Sequence, residues 1–395
     1  MKSIGLYIPN LGGGGAERVV SRLSEILKEE YEVSIIINDN TVEYPVNCEI
    51  ISLGVPAKRY TYQRLLLPIK RSIKLYSVKK QYKFDVVISF LTIANIVNIL
   101  SGSKYSRVFL SVRNYTMLEK ERDFVTDIVE LFMKMLYNRA EYIIPVSKVL
   151  ALSLNKDYGI PFEKMMVIYN PYDLHEINLL KNITIDNQEH NAFFNDSKVV
   201  LTIGRLSHQK GYWHLLKAFS LIGDKSVKLA IIGEGEDKNK IEKLIRDLSI
   251  SDRVLLLGFQ KNPFKYINKS YVYILSSLFE GFPNAMVEAM SCGCPIIATD
   301  CKSGPREILC KNEDLTRSSK DVEVVEYGIL TPPVSDAESW SANIIEEEDR
   351  IMSHAITKVI EDEHLHHLLS QKGQKRASEF NYQICLSKYK KIIES

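Results

Sequence analysis

The sequence predicts two α/β domains, each a largely parallel sheet covered by helices on both faces. Three observations lead there. The chain has 395 residues, and beyond about 250–300 residues a single hydrophobic core usually divides. Short β-branched runs alternate from end to end with longer amphipathic stretches, the rhythm of strand–helix–strand crossovers. Near the middle, Pro171 to Asp196 is polar and weakly periodic, with four Asn between 182 and 195, and is expected to link the domains. The first domain should then cover 1–180, joined by a C-terminal helix at 381–395, and the second 197–380.

In the first half, strands are predicted at Ser3–Ile8, Glu32–Ile37, Asp85–Ser89, Val108–Val112, Tyr142–Val146 and Met165–Ile168, with helices at 16–29, 121–138 and 147–157. In the second, strands are predicted at Val199–Ile203, Lys228–Ile232, Arg253–Leu257, Val272–Leu275 and Pro295–Thr299, with helices near 212–222, 237–248, 284–291 and 350–380. Residues 311–327 read as a charged surface insertion without an apolar period. Ligands of paired open α/β domains lie at the carboxyl ends of the strands, so the site is expected in the cleft between the lobes.

Composition narrows the function. Charged residues make up 25% and the net charge is +2, which argues against a general nucleic-acid binder. Six cysteines are sparse for this length, and no apolar leader with a cleavage site follows Met1, so a reduced cytoplasmic protein is expected. The longest apolar stretch, Asp85 to Leu100, is broken by Ser89, Thr92, Asn95 and Asn98 and is too short to span a bilayer.

Three segments carry chemistry. Leu11-Gly-Gly-Gly-Gly-Ala-Glu-Arg18 joins the first strand to the first helix, where free N–H groups and the helix dipole favour an anion; no Gly-Lys-Ser/Thr follows, so it is not a P-loop. Gly204-Arg-Leu-Ser-His-Gln-Lys-Gly211 opens the second domain, and Arg205 and Lys210 around one turn suit a diphosphate. The third segment, Glu280-Gly-Phe-Pro-Asn-Ala-Met-Val-Glu288, follows the strand Val272–Leu275 and enters a helix for which Asn284 is a good N-cap. Glu280 in the loop can accept from sugar hydroxyls, Glu288 inside the helix can hold a ribose diol, and Phe282, Asn284 and Ala285 offer N–H groups, which Pro283 lacks. Taken singly, each pair also reads as solvated surface charge.

Together the three segments resemble family 4 of the retaining nucleotide-sugar glycosyltransferases, from Gly12 to about Leu330. The resemblance implies the GT-B fold, two Rossmann-like domains facing a central cleft. Glu280 and Glu288 match the family's paired glutamates, Arg205 and Lys210 its diphosphate-binding cations, and Gly14 and Gly15 its N-terminal glycine loop. It further implies a donor site that includes Gly204, Gly281, Phe282, Pro283, Asn284 and Ala285. Arg205, Lys210 and Glu280 are the expected catalytic residues. Gly304-Pro-Arg-Glu-Ile308 and Tyr327-Gly-Ile-Leu330 resemble a bacterial branch that builds surface glycans on polyprenyl-diphosphate carriers, which points to a UDP-sugar donor carrying a hexose or N-acetylhexosamine. Retention of configuration, with the leaving phosphate helping to deprotonate the acceptor, is implied likewise. The donor is a substrate, so no cofactor is expected.

Charge developing on the leaving diphosphate would be stabilised by Arg205, Lys210 and glycine-loop amides. No Asp-x-Asp triplet occurs, so no catalytic metal is expected; Cys292, Cys294, Cys301 and Cys310 lack paired C-x-x-C spacing and read as reduced core residues, and His364, His366 and His367 as helix surface. Acceptor contacts are expected from Arg113 and Asn114 after a first-domain strand, with Ser89 and Asn95 as further candidates. Lys58 to Lys83 holds nine Lys or Arg and no acid, interleaved with leucines, isoleucines and tyrosines. Two readings fit it: an interfacial helix on the anionic inner face of the cytoplasmic membrane, and a solvated helix with core-facing leucines. Gly233-Glu-Gly235 lacks the third glycine of a dinucleotide fold, which disfavours a dehydrogenase. A nucleotide-sugar epimerase or hydrolase, or a non-catalytic sugar-nucleotide-binding partner, would share the architecture; the last is expected to lack some of the four charged residues, and all four are present.

Overall fold

The computed structural model describes every residue except 13, 57–60, 114–123, 196 and 312–313, and the side chains of all but these and 61–65 and 124–126. The chain divides into two compact units, Met1–Pro171 with Tyr382–Ser395, and Tyr172–Asn381.

The first unit runs β1 (Ser3–Tyr7), α1 (Gly15–Lys28), β2 (Glu32–Ile37), β3 (Glu49–Ser52), α2 (Thr61–Tyr82), β4 (Val86–Phe90), α3 (Thr92–Leu100), β5 (Arg107–Val112), α4 (Phe124–Leu136), β6 (Tyr142–Pro145) and α5 (Lys148–Tyr158). Its six strands are all parallel in the order β3-β2-β1-β4-β5-β6. Alternate residues supply the two faces, as a two-residue period requires. Ile4, Leu6 and Ile8 pack with Val20, Leu23 and Leu27 of α1 and with Tyr389, Ile392 and Ile393 of the C-terminal helix Tyr382–Glu394. Tyr7, Ile36 and Val87 pack on the other side with Leu75 of α2 and Ala94 and Val97 of α3. Between these helices Lys79 is fully buried; its Nζ donates to Asn98 O at 3.2 Å and Gly102 O at 2.9 Å, at the end of α3. Met165–Ile168 is not a strand: it keeps one parallel bridge, Met165 to Ile143, after a 3₁₀ turn at Phe162–Lys164.

The second unit continues with α6 (Leu174–Lys181), α7 (Gln188–Asn195), β7 (Val199–Ile203), α8 (Tyr212–Ser220), β8 (Lys228–Ile232), α9 (Lys238–Asp247), β9 (Val254–Gly258), α10 (Phe264–Ile267), β10 (Val272–Leu275), α11 (Asn284–Cys292), β11 (Ile296–Thr299), α12 (Pro305–Leu309), β12 (Glu323–Val325), β13 (Gly328–Thr331), α13 (Glu347–Glu361) and α14 (Glu363–Ala377). The expected linker is therefore largely α6 and α7, folded into this unit: α6 packs on α10 and α11, and Phe194 of α7 meets the Tyr266 ring at 5.5 Å. The single helix expected at 350–380 is two, because the Asp362 side chain accepts from Leu365 N at 2.8 Å and caps α14. The 311–327 insertion contains β12, paired antiparallel with β13 at the sheet edge. Strand order is β12-β13-β11-β10-β7-β8-β9, parallel apart from β12. The connection direction reverses between β7 and β10, so the loops after these two strands border this sheet's topological switch point, where open α/β sheets bind ligands.

Candidate functional site

The two loops at that switch point are the ones that carry Lys210 and Glu280. After β7 the chain passes Gly204 and Arg205, makes a 3₁₀ turn at His208–Lys210, and enters α8 through Gly211 at φ +58°. Gln209 Nε2 donates to Phe279 O at 2.8 Å, Leu278 N donates to Gln209 O at 2.9 Å, and Ser276 Oγ donates to Lys210 O at 2.8 Å. These bonds dock the β7 loop onto the β10 loop. Lys210 Nζ then lies 2.5 Å from Glu280 Oε1, which also accepts from Ser277 Oγ at 2.7 Å. The pair is mostly out of water, with side chains 20% and 8% exposed, where a charge-assisted bond is stronger than at the surface.

The surroundings hold this geometry. Tyr212 Oη donates to Gly204 O at 3.0 Å, and burial followed by the Glu280 charge keeps its phenol protonated far above the usual range. Burial and Glu280 act likewise on the Cys301 thiol. On the far side of Gly204, Gly233 and Gly235 allow two loops to cross: an added Cβ would lie 1.9 Å from Gly204 O and 2.2 Å from Leu206 O respectively. That close approach is what the Gly233-Glu-Gly235 segment serves.

Arg205 is exposed on the same loop. Glu288 is 2% exposed on α11, so the exposed-face reading of the paired glutamates fails. Tyr273 of β10, fully buried, feels both Glu280 and Glu288, and its phenol is raised well above its ordinary value by burial first and by these charges after it. Asn284 is the first residue of α11 and not its N-cap; Pro283 holds that position, and Asn284 Oδ1 accepts from Tyr172 Oη at 2.7 Å. Phe282 is buried edge-on against Phe380 at 5.5 Å.

With this geometry in view, comparison with known proteins decides the family. The family model described as glycosyl transferases group 1 matches residues 184–376, and that of glycosyltransferase family 4 matches 13–176. An uncharacterised glycosyltransferase of Methanocaldococcus jannaschii is 34% identical over 339 residues, 82% of this chain and 83% of the relative. The chain belongs to glycosyltransferase family 4. Among this glycosyltransferase's relatives, the Campylobacter jejuni N-acetylgalactosamine-N,N'-diacetylbacillosaminyl-diphospho-undecaprenol 4-alpha-N-acetylgalactosaminyltransferase is 30% identical, covering 79% of this chain and 85% of its own. Sucrose-phosphate synthase of Thermosynechococcus elongatus superposes with a TM-score of 0.79 at 18% identity, over 100% of this chain and 98% of that one. Anabaena Alr3699/HepE in complex with UDP and glucose does so at 0.75 and 18%, over the whole of both chains. The fold of the glycosyltransferase is GT-B, with two Rossmann-like α/β sheets.

In its first unit the expected site residues differ in where the structure places them. Gly14 caps α1 and its N–H donates to Gly12 O at 2.9 Å, so that amide is already used; Gly15 begins the helix. The Glu17 carboxylate lies against Gly14, 2.1 Å from where a Cβ would stand, and an anion at this helix start would require it to swing away. Arg113 follows β5, donates to Ser111 Oγ at 3.2 Å and to Asn170 Oδ1, and lies over the Phe90 ring at 5.8 Å. Asn114 lies outside the described residues. Ser89 and Asn95 do not reach an acceptor: both are fully buried. Ser89 Oγ donates to Asn95 Oδ1 at 2.8 Å, and Asn95 Nδ2 donates to Ser111 O at 3.1 Å. They satisfy each other inside the sheet–α3 interface. In the second unit His366 is no simple surface residue either, stacking on Tyr271 at 3.9 Å with Nε2 2.9 Å from Tyr271 O.

The sequence reading missed Ser277, which orients the Glu280 carboxylate, and Tyr212, which pins the Gly204 carbonyl. Their only signal was position: Ser277 lies three residues before Glu280, just after β10, and Tyr212 two residues after Lys210, opening α8.

Proposed function

We propose that this glycosyltransferase transfers a hexose or N-acetylhexosamine, with retention, from a UDP-sugar to a glycan acceptor on a polyprenyl diphosphate. The observation that carries the reading is the Lys210–Glu280 pair, mostly out of water at the switch point of the second sheet beside an exposed Arg205. When a donor diphosphate arrives, Lys210 exchanges its bond to Glu280 for phosphate oxygens, and Arg205 supplies a second cation from the loop mouth. Freed of Lys210 but still held by Ser277, the Glu280 carboxylate accepts from sugar hydroxyls, and Glu288 holds the ribose diol. The two cations stabilise charge on the leaving diphosphate, so that no metal ion is required for the step. Arg113, at the carboxyl end of β5, is the acceptor-side residue in this reading. The carrier-lipid acceptor is supported by the undecaprenol-linked substrates in the names of two Campylobacter jejuni relatives.

A membrane-surface location fits α2. Leu67 and Leu75 face the core, while Leu66, Ile69, Ile73 and Tyr76 form an exposed stripe, of which Ile69, Ile73 and Tyr76 line, with Ser72 and Leu100, a groove of about 330 Å³. Exposed Lys70, Lys74 and Lys80 accompany the stripe. The exposed stripe supports the interfacial reading, while Leu67 and Leu75 are the core-facing leucines of the other. Among the described residues no helix is long and apolar enough to cross a membrane.

The test is a panel of nucleotide sugars screened for thermal stabilisation and then for transfer to a polyprenyl-diphosphate-linked glycan, with EDTA present and absent. Transfer of a UDP-sugar's glycosyl group, undiminished by EDTA, is expected. Release of free sugar or an epimer with no acceptor requirement would overturn the transferase reading, and loss of activity in EDTA its metal-independence.

A further inference from the structure

Gly304-Pro-Arg-Glu-Ile308 and the charged segment after it have no role in the chemistry above, yet the structure joins them to it. Asp300 follows β11 directly and Arg306 lies in α12, six residues on. Arg306 Nε donates to both Asp300 carboxylate oxygens at 3.2 and 3.0 Å, and Nη2 reaches Asp300 Oδ2 at 2.7 Å. The same Nη2 meets Ser319 Oγ at 2.8 Å and Glu323 Oε2 at 2.9 Å. Ser319 closes the network, its N–H donating to Asp300 Oδ2 at 2.7 Å and its Oγ to Glu323 Oε2 at 2.6 Å. Arg306 and Asp300 are 4% and 3% exposed. A buried charge network of this kind fixes geometry, and removing one partner leaves the others desolvated.

What the network closes is the turn 300–306, and that turn grips the donor loop by its main chain. Glu280 N donates to Lys302 O at 2.8 Å and Ser303 N to Glu280 O at 2.9 Å, a ladder that extends the β10–β11 direction through the Phe279–Lys302 bridge. Ser303 Oγ adds bonds to Glu280 O at 3.1 Å and Gly281 O at 3.0 Å. Glu280 is thus held on one side by Lys210 and Ser277 through its carboxylate, and on the other by Lys302 and Ser303 through its backbone. We infer that Arg306 is a positioning residue for the donor site: with Asp300, Ser319 and Glu323 it sets the Lys302–Ser303 turn, and thereby where the Glu280 carboxylate stands. The segment that supplies Ser319 and Glu323 then braces the site, which its reading as a plain surface insertion did not provide for. The inference rests on Glu280 being a donor contact.

The experiment is hydrogen exchange by mass spectrometry on the unliganded full chain, wild type against Arg306→Met and the milder Glu323→Gln. Peptides covering 278–284 should exchange tenfold or more faster in Arg306→Met and measurably faster in Glu323→Gln, with 199–203 and 228–232 unchanged as the control for global loosening. Loosening confined to 300–325, with 278–284 as protected as in the wild type, overturns the proposal. A second arm reads affinity by calorimetry, for UDP and for the UDP-sugar that the wild type transfers, in Arg306→Met, Glu280→Gln and the double variant, the difference between the two ligands being the part Glu280 supplies. A double variant no weaker than Glu280→Gln is expected, and penalties that multiply would show that Arg306 does not act through Glu280. Wild type that binds no UDP overturns the UDP-sugar reading, while the exchange arm still decides the brace.

Discussion

Lys210 and Glu280 form an ion pair on two loops, with the Glu280 carboxylate largely out of water. Lys210→Ala leaves that carboxylate with Ser277 and is expected to lower the melting temperature as well as to lower kcat about 100-fold or more, the scale of losing one donor of about 2.7–4 kcal/mol to a developing anion. Arg205→Ala should lower kcat likewise, with no stability change beyond about 0.5 kcal/mol, as for an exposed side chain; steady-state transfer assays with melting curves check both. Lys79 behaves oppositely, as a stability residue without a catalytic part. Burial without a carboxylate partner pulls its pKa down to about 7. Between that value and its ordinary 10.5, the unfolded chain binds a proton that the folded chain does not, so stability should rise with pH across this window. Urea unfolding at several pH values should show that slope reduced in Lys79→Met; an identical slope would mean that Lys79 is already protonated throughout. At this scale the residues of the Lys210–Glu280 pair were singled out by the motifs that resemble the family, since taken singly each also reads as solvated surface charge. Ser89 and Asn95 misled because polar residues inside an apolar run look purposeful, and here the purpose is to satisfy β4, β5 and α3.

α2 shows what an element can hide: its basic residues were visible in the sequence, but not that two apolar stripes share one helix. Among the described residues of α2, Leu67 and Leu75 are buried in the core with Val78 and Tyr82 packed against them. Flotation with anionic vesicles should carry the wild type upward and leave a Lys70→Glu/Lys74→Glu/Lys80→Glu variant behind, while neutral vesicles bind neither; equal flotation of both proteins would refute the electrostatic part of the contact. Central parallel strands were readable as β-branched runs because both of their faces are buried. β3 escaped because it is a four-residue edge strand with Glu49 and Ser52 at its ends, and β13 because four residues opening on glycine carry little propensity. α3 was missed because the helix is buried nearly all round, which erases the 3.6-residue contrast. The break at Asp362 did leave a signal, a capping aspartate followed by Glu363.

Across the whole chain, the doubled α/β pattern was the most legible feature. It repeats a physical necessity, a sheet that must be covered on both faces, over thirteen strands among the described residues. Where the units meet in the sequence was harder to read, because α6 and α7 are short, polar and held by contacts made elsewhere in the second unit. Family 4 membership and the GT-B fold follow from the chain as a whole; the chemistry follows from the two loops beside β7 and β10. The central claim is that these loops hold the donor's diphosphate. A crystal structure with the donor's nucleoside diphosphate bound tests it: diphosphate oxygens should lie within about 3 Å of Lys210 Nζ and of the Arg205 guanidinium. A diphosphate bound elsewhere, with Lys210 still paired to Glu280, would contradict it.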